Sequence, residues 1–146
     1  MKENLLPFNI NKNGRIYTKD SYDWSKIKEL SDKKTLFGEL RHDDDILLFD
    51  VNLSNVSHLI KNLEVYDDGV YGEIQVLDTE KGKFLRTLLN DKGDYNISIS
   101  SRGTGTVENG VVKIDNLNGF DYVYSPETIL ERRRKKLDRI LNRMGK

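Results

Sequence analysis

The hydrophobic and polar positions divide the chain into short strands and a few amphipathic helices. Phe8 and Ile10 precede a turn signal at Asn11, Lys12, Asn13 and Gly14, and Trp24, Ile27 and Leu30 recur at helical spacing behind a cap at Asp20 or Ser21. The start thus reads as strand, turn, helix. Val56 to Tyr66 is rich in strand formers, Asp67, Asp68 and Gly69 supply a turn, and Val70, Gly72, Ile74 and Val76 then alternate with Tyr71, Glu73 and Gln75. That pattern predicts a β-hairpin. Thr79 to Asn90 carries Phe84, Leu85, Leu88 and Leu89 at helical spacing, with Asp78 or Thr79 as cap and an end before Lys92-Gly93.

Tyr95 to Ser100 alternates strictly, so Ile97 and Ile99 take one face and Asn96, Ser98 and Ser100 the other, with Ser101 back on the isoleucine face. Two strands flank Asn109-Gly110, a type I′ turn signal. Phe120 to Tyr124 reads as a further strand closed by Ser125-Pro126, with Phe120, Tyr122 and Tyr124 on one face and Asp121 and Val123 on the other. Pro126 suits the first turn of a last helix over 126–146, in which Ile129, Leu130, Leu137, Ile140, Leu141 and Met144 form an apolar stripe and Gly145 a C-cap. Most of the chain therefore reads as antiparallel β.

A length of 146 residues suits a single domain, 1–146, and the 36% hydrophobic and 33% charged content is that of a soluble globular protein. A formal net charge of zero offers no bulk attraction to nucleic acid or membrane. The absence of cysteine excludes disulfides, a thiolate metal site and a cysteine nucleophile, and with only two histidines the expectation is no metal and no cofactor. No run is apolar enough for a signal peptide or a membrane span, so the cytoplasm is the expected place.

An imidazole base has to be His42 or His58. His42 stands in Gly38-Glu39-Leu40-Arg41-His42-Asp43-Asp44-Asp45, which reads equally as a solvated acidic loop. His58, in Asn55-Val56-Ser57-His58-Leu59-Ile60, reads as structural or substrate-facing. Ser100, by pattern alone, is an ordinary outward serine. The run Arg132-Arg133-Arg134-Lys135-Lys136 reads as the solvated face of the last helix, although it could contact nucleic acid or an acidic scaffold protein, and the apolar stripe beside it could form a contact between protomers of a homo-oligomer.

Five motifs in one order carry more than these readings do. Asn13-Gly14-Arg15-Ile16-Tyr17, Gly38-Glu39-Leu40-Arg41-His42, Val70-Tyr71-Gly72, Ile99-Ser100-Ser101-Arg102-Gly103-Thr104-Gly105 and Phe120-Asp121-Tyr122-Val123-Tyr124-Ser125-Pro126 together resemble the prohead maturation proteases of tailed bacteriophages, from about Asn11 to Pro126. The resemblance implies His42 as base, Ser100 as nucleophile and Asp121 as third member of a triad. It also implies a mainly β (α+β) fold, an antiparallel β-barrel or strongly curved sheet with peripheral helices, similar to the herpesvirus maturation proteases. The implied activity is endopeptidase cleavage of scaffold and major capsid proteins, and of the protease itself, in the host cytoplasm inside the assembling prohead. One departure stands beside the base: the family commonly has proline after that histidine, and here Asp43, Asp44 and Asp45 follow. In the family a C-terminal segment is often removed, and 126–146 is either such a segment or a peripheral part of the domain.

The chemistry of the implied triad is consistent. A serine hydroxyl attacks only when a neighbouring imidazole takes its proton, and a carboxylate orients that imidazole and stabilises its charged form. The stretch Arg102-Gly103-Thr104-Gly105 reads as a turn whose backbone N–H groups could receive an oxyanion, which makes Arg102 and Gly103 the oxyanion-hole candidates. The bland alternative is a surface arginine and a bend in the chain. A rival from another class is a catalytically silent scaffold or capsid-assembly protein with the same fold.

Overall fold

The computed structural model describes residues 2–11, 14–42, 52–90 and 95–126, together with positions 137, 140 and 141. Six strands build one sheet: β1 Glu3–Pro7, β2 Phe37–His42, β3 Val56–Tyr66, β4 Gly69–Val76, β5 Tyr95–Glu108 and β6 Val111–Pro126. Their order is β1-β4-β3-β2-β6-β5, and the sheet curls until the two outer strands approach each other. Two helices, α1 Ser25–Asp32 and α2 Glu80–Asn90, pack against it. A strongly curved sheet with peripheral helices is thus the fold.

Several elements lie where the hydrophobic pattern puts them. β3 and β4 form the hairpin, and Asn62, at φ 52°, sits where its pairing register shifts between Lys61 and Glu64. The Thr79 hydroxyl accepts the Gly82 N–H at 2.9 Å and so caps α2. Asn109 and Gly110 both have positive φ, as a type I′ turn requires. The apolar inner face gathers Leu5, Phe8, Trp24, Ile27, Ile60, Leu63 and Phe120 in one cluster and Leu40, Leu85, Leu88 and Tyr122 in a second beneath α2.

Other elements differ. The first strand precedes Phe8, and α1 begins at Ser25, because Thr18 and Ser21 cap each other around a separate short 3-10 turn. Arg102 to Gly105 is continuous strand with register shifts after Arg102 and Thr104, and the two strands expected after Gly110 are the single β6. β2 carries the polar stretch that reads equally as a solvated loop, yet it lies inside the sheet, antiparallel to β3 and parallel to β6, so the sheet is not wholly antiparallel. Its acidic neighbours Asp43, Asp44 and Asp45, the Lys92-Gly93 end of α2 and the basic run at 132–136 lie outside the described residues. So does most of the expected last helix, in which Leu137, Ile140 and Leu141 are helical and exposed.

Candidate active site

Strand register decides which side chains meet, because partners on neighbouring strands point to the same face. Ser100 is the partner of Asp121, and Ser101 is the partner of Phe120. Ser100 therefore shares the outer face with Asp121, and Ser101 lies on the isoleucine face with Phe120, as strand alternation predicts. Ser100 is half-buried and borders two cavities of about 410 and 370 Å³, both of which also touch Arg15, Tyr17 and Ser101. Among the described residues, the Ser100 hydroxyl makes only a long contact, 3.5 Å, to the Ser101 carbonyl.

Asp121 is buried beneath a set of polar groups from two other strands. Arg102, itself fully buried, donates from Nε to Asp121 Oδ2 at 2.9 Å and from Nη2 to Oδ1. The Glu39 backbone N–H donates to Oδ1 at 3.0 Å, and the Glu39 carboxylate faces Arg102 Nη1 at 3.2 Å while accepting the Asn52 N–H. Arg41 Nε lies 3.6 Å from Asp121 Oδ2. Two cations and two anions thus neutralise one another in the sheet. The Arg102 side chain faces Asp121, so only its backbone remains an oxyanion-hole candidate alongside that of Gly103.

His42 has the other orientation. It is the register partner of Tyr124, and the two rings meet edge to face with centroids 5.2 Å apart. Alternation along β2 puts Leu40 and His42 on the inner, aromatic face, and Glu39 and Arg41 on the outer face with Asp121. The structure brings Ser100 and Asp121 together and leaves His42 across the sheet from both.

His58 is fully buried. Its Nε2 donates to the Phe120 carbonyl at 2.9 Å, so its Nδ1 accepts the Ser57 hydroxyl at 2.7 Å, and its ring meets Tyr122 edge to face. Burial holds its pKa below the ordinary imidazole value, although the Phe120 hydrogen bond and the nearby Asp121 act against the shift. To reach β6 the ring crosses β2 at Gly38, where a Cβ would come within 2.0 Å of Nε2. Burial and the neighbouring Glu3 carboxylate likewise push the Tyr122 phenol up.

Three of the five motifs quoted from the sequence, those carrying His42, Ser100 and Asp121, thus meet at one place. Gly38 clears room for His58, Glu39 and Arg41 face the Arg102–Asp121 pair, Leu40 enters the core, and Arg102 holds the carboxylate whose register partner is Ser100. Glu39 and Arg41 went unread as site residues. The signal that finds them is their period-two spacing in a strand beside the Asp121 strand. Among the described residues no group of three or more histidines or carboxylates is placed to hold a metal ion, and no helix is long and apolar enough to cross a membrane.

No protein-family model and no curated protein sequence matches the chain. Among solved structures, the capsid assembly protease of bacteriophage T4 superposes with a TM-score of 0.64 at 20% sequence identity, covering 86% of this chain and 81% of that one. This likeness establishes a shared fold.

Proposed function

We propose that the chain is a serine endopeptidase of phage capsid assembly, with Ser100 as nucleophile, His42 as general base and Asp121 as the carboxylate that orients it. The observation that carries the reading is Ser100 paired with buried Asp121 beside open cavities, in a fold shared with a capsid assembly protease. Ser100 would attack a peptide carbonyl while His42 takes its proton. Asp121 would stabilise the imidazolium, and His42 would return the proton to the leaving amine. The backbone N–H groups of Arg102 and Gly103 are the candidates for receiving the oxyanion. No cofactor enters this scheme.

The substrates in this reading are the scaffold and major capsid proteins of the prohead in which the enzyme acts, and the enzyme itself. Residues 1–146 form one protease domain, with 126–146 peripheral or removed. The inward orientation of His42 favours one second reading, a catalytically silent assembly protein. Co-expression with the scaffold and capsid proteins separates the two. Processing that is lost in Ser100→Ala and retained in Ser101→Ala supports the enzyme, and no processing by the wild-type chain supports the silent protein.

A further inference from the structure

Asp121 accepts three hydrogen bonds from the protein around it. An ionised carboxylate offers about four acceptor positions. On Oδ1 two are taken, by Arg102 Nη2 and the Glu39 N–H, and on Oδ2 one is taken, by Arg102 Nε. One position on Oδ2 remains. The group facing it is Arg41 Nε at 3.6 Å, beyond hydrogen-bond length, and among the described residues this buried Nε has no hydrogen-bond partner. The Arg41 Nε contact with Asp121 is therefore one of charge without a hydrogen bond, at the place an imidazole would need.

Arg41 and His42 are adjacent in a strand, so only one of them can face Asp121 at a time, and a one-residue slip exchanges them. The local pairing leaves room for such a slip. Among the described residues, β2 pairs with β3 from Phe37 to Glu39, with a register irregularity at Gly38/Glu39, whereas Leu40, Arg41 and His42 pair only with β6. The last turn of the strand is thus anchored on one side.

Resting on the serine-peptidase reading, we infer that Arg102 and the Glu39 N–H are positioning groups that fix Asp121 with one acceptor position open, and that Arg41 occupies this position at rest and yields it to His42. The two arginines then act in opposite senses on the same carboxylate. Arg102 supports the reactive arrangement, and Arg41 competes with it.

The test is the rate at which a fluorophosphonate labels Ser100 in the full chain, read by mass spectrometry, for the wild type, Arg41→Gln, Arg41→Lys and Arg102→Lys, with circular dichroism confirming that each is folded. Releasing a reactive state populated about one time in ten raises the rate about tenfold. Arg41→Gln is expected to label about tenfold faster than wild type, Arg41→Lys between the two, and Arg102→Lys more slowly than wild type. A merely structural role would slow all three variants. Labelling of wild-type Ser100 with no acceleration in either Arg41 variant overturns the inference and leaves the peptidase reading standing. Absence of Ser100 labelling in every folded form removes the peptidase reading and this inference with it.

Discussion

Two serines in this molecule stand in opposite conditions. Ser57 has the hydrogen bond of a catalytic pair, 2.7 Å from His58 Nδ1, but both residues are fully buried. Ser100 borders open cavities and neighbours a held carboxylate, but the imidazole assigned to it faces the other side of the sheet. Geometry without access and access without geometry are both incomplete. The difference identifies what each lacks: Ser57 cannot gain access without unfolding the core, whereas Ser100 can gain its base through a movement at the end of one strand. Ser100 is the better nucleophile candidate for that reason.

The comparison breaks most sharply by removing each hydroxyl. Ser100→Ala is expected to abolish fluorophosphonate labelling, and Ser57→Ala to leave a Ser100 adduct forming at an undiminished rate. The reverse, measured by mass spectrometry of the adducts, would transfer the chemistry to the core pair.

Next in size is the buried ion pair. Asp121→Ala leaves the Arg102 guanidinium buried without its main partner and is expected to lower the unfolding free energy by about 3–5 kcal/mol, since a lone buried charge is costly. Urea denaturation reads this, and a loss under about 1 kcal/mol would show that the buried pair does not hold the sheet.

Smaller effects are expected on the Ser57 side. Ser57→Ala removes the donor to His58 Nδ1, and Gly38→Ala drives a methyl into the ring, so each should lose about 1–3 kcal/mol in the same assay. Equal stability in both variants would mean that the His58 bridge between β3 and β6 does not hold the sheet.

The smallest effect is the pH dependence from His58. Burial lowers its pKa from the ordinary 6.5, so the unfolded chain takes up a proton that the folded chain resists. The stability it contributes is complete above the ordinary value and is lost as pH falls toward the folded one. Unfolding of wild type and His58→Gln compared from about pH 8 to about pH 5 should show the wild type losing more. Parallel curves would contradict the assignment.

The hairpin, the α2 cap and the Asn109-Gly110 turn were legible because local chemistry sets them. β2 was not, because Glu39 and Arg41 are polar residues turned toward partners on β5 and β6 rather than toward water. Long-range pairing fixes such a strand, and no local pattern announces it. The same cause hid the site. Strand alternation correctly set Ser100 apart from the isoleucines and Asp121 apart from the aromatics, but the β5–β6 register that pairs the two, and the phase of β2 relative to β6, which sends Arg41 outward and His42 inward, depend on long-range pairing that no single strand reveals alone.

The central claim is that Ser100 is a nucleophile activated by His42 from the Asp121 face. Its most direct test is adduct mapping after fluorophosphonate treatment of the wild type and His42→Ala. The account predicts an adduct on Ser100 that forms in the wild type and fails to form in His42→Ala. An adduct on Ser57 or Ser101 instead, or labelling of Ser100 that proceeds equally well without His42, would contradict it.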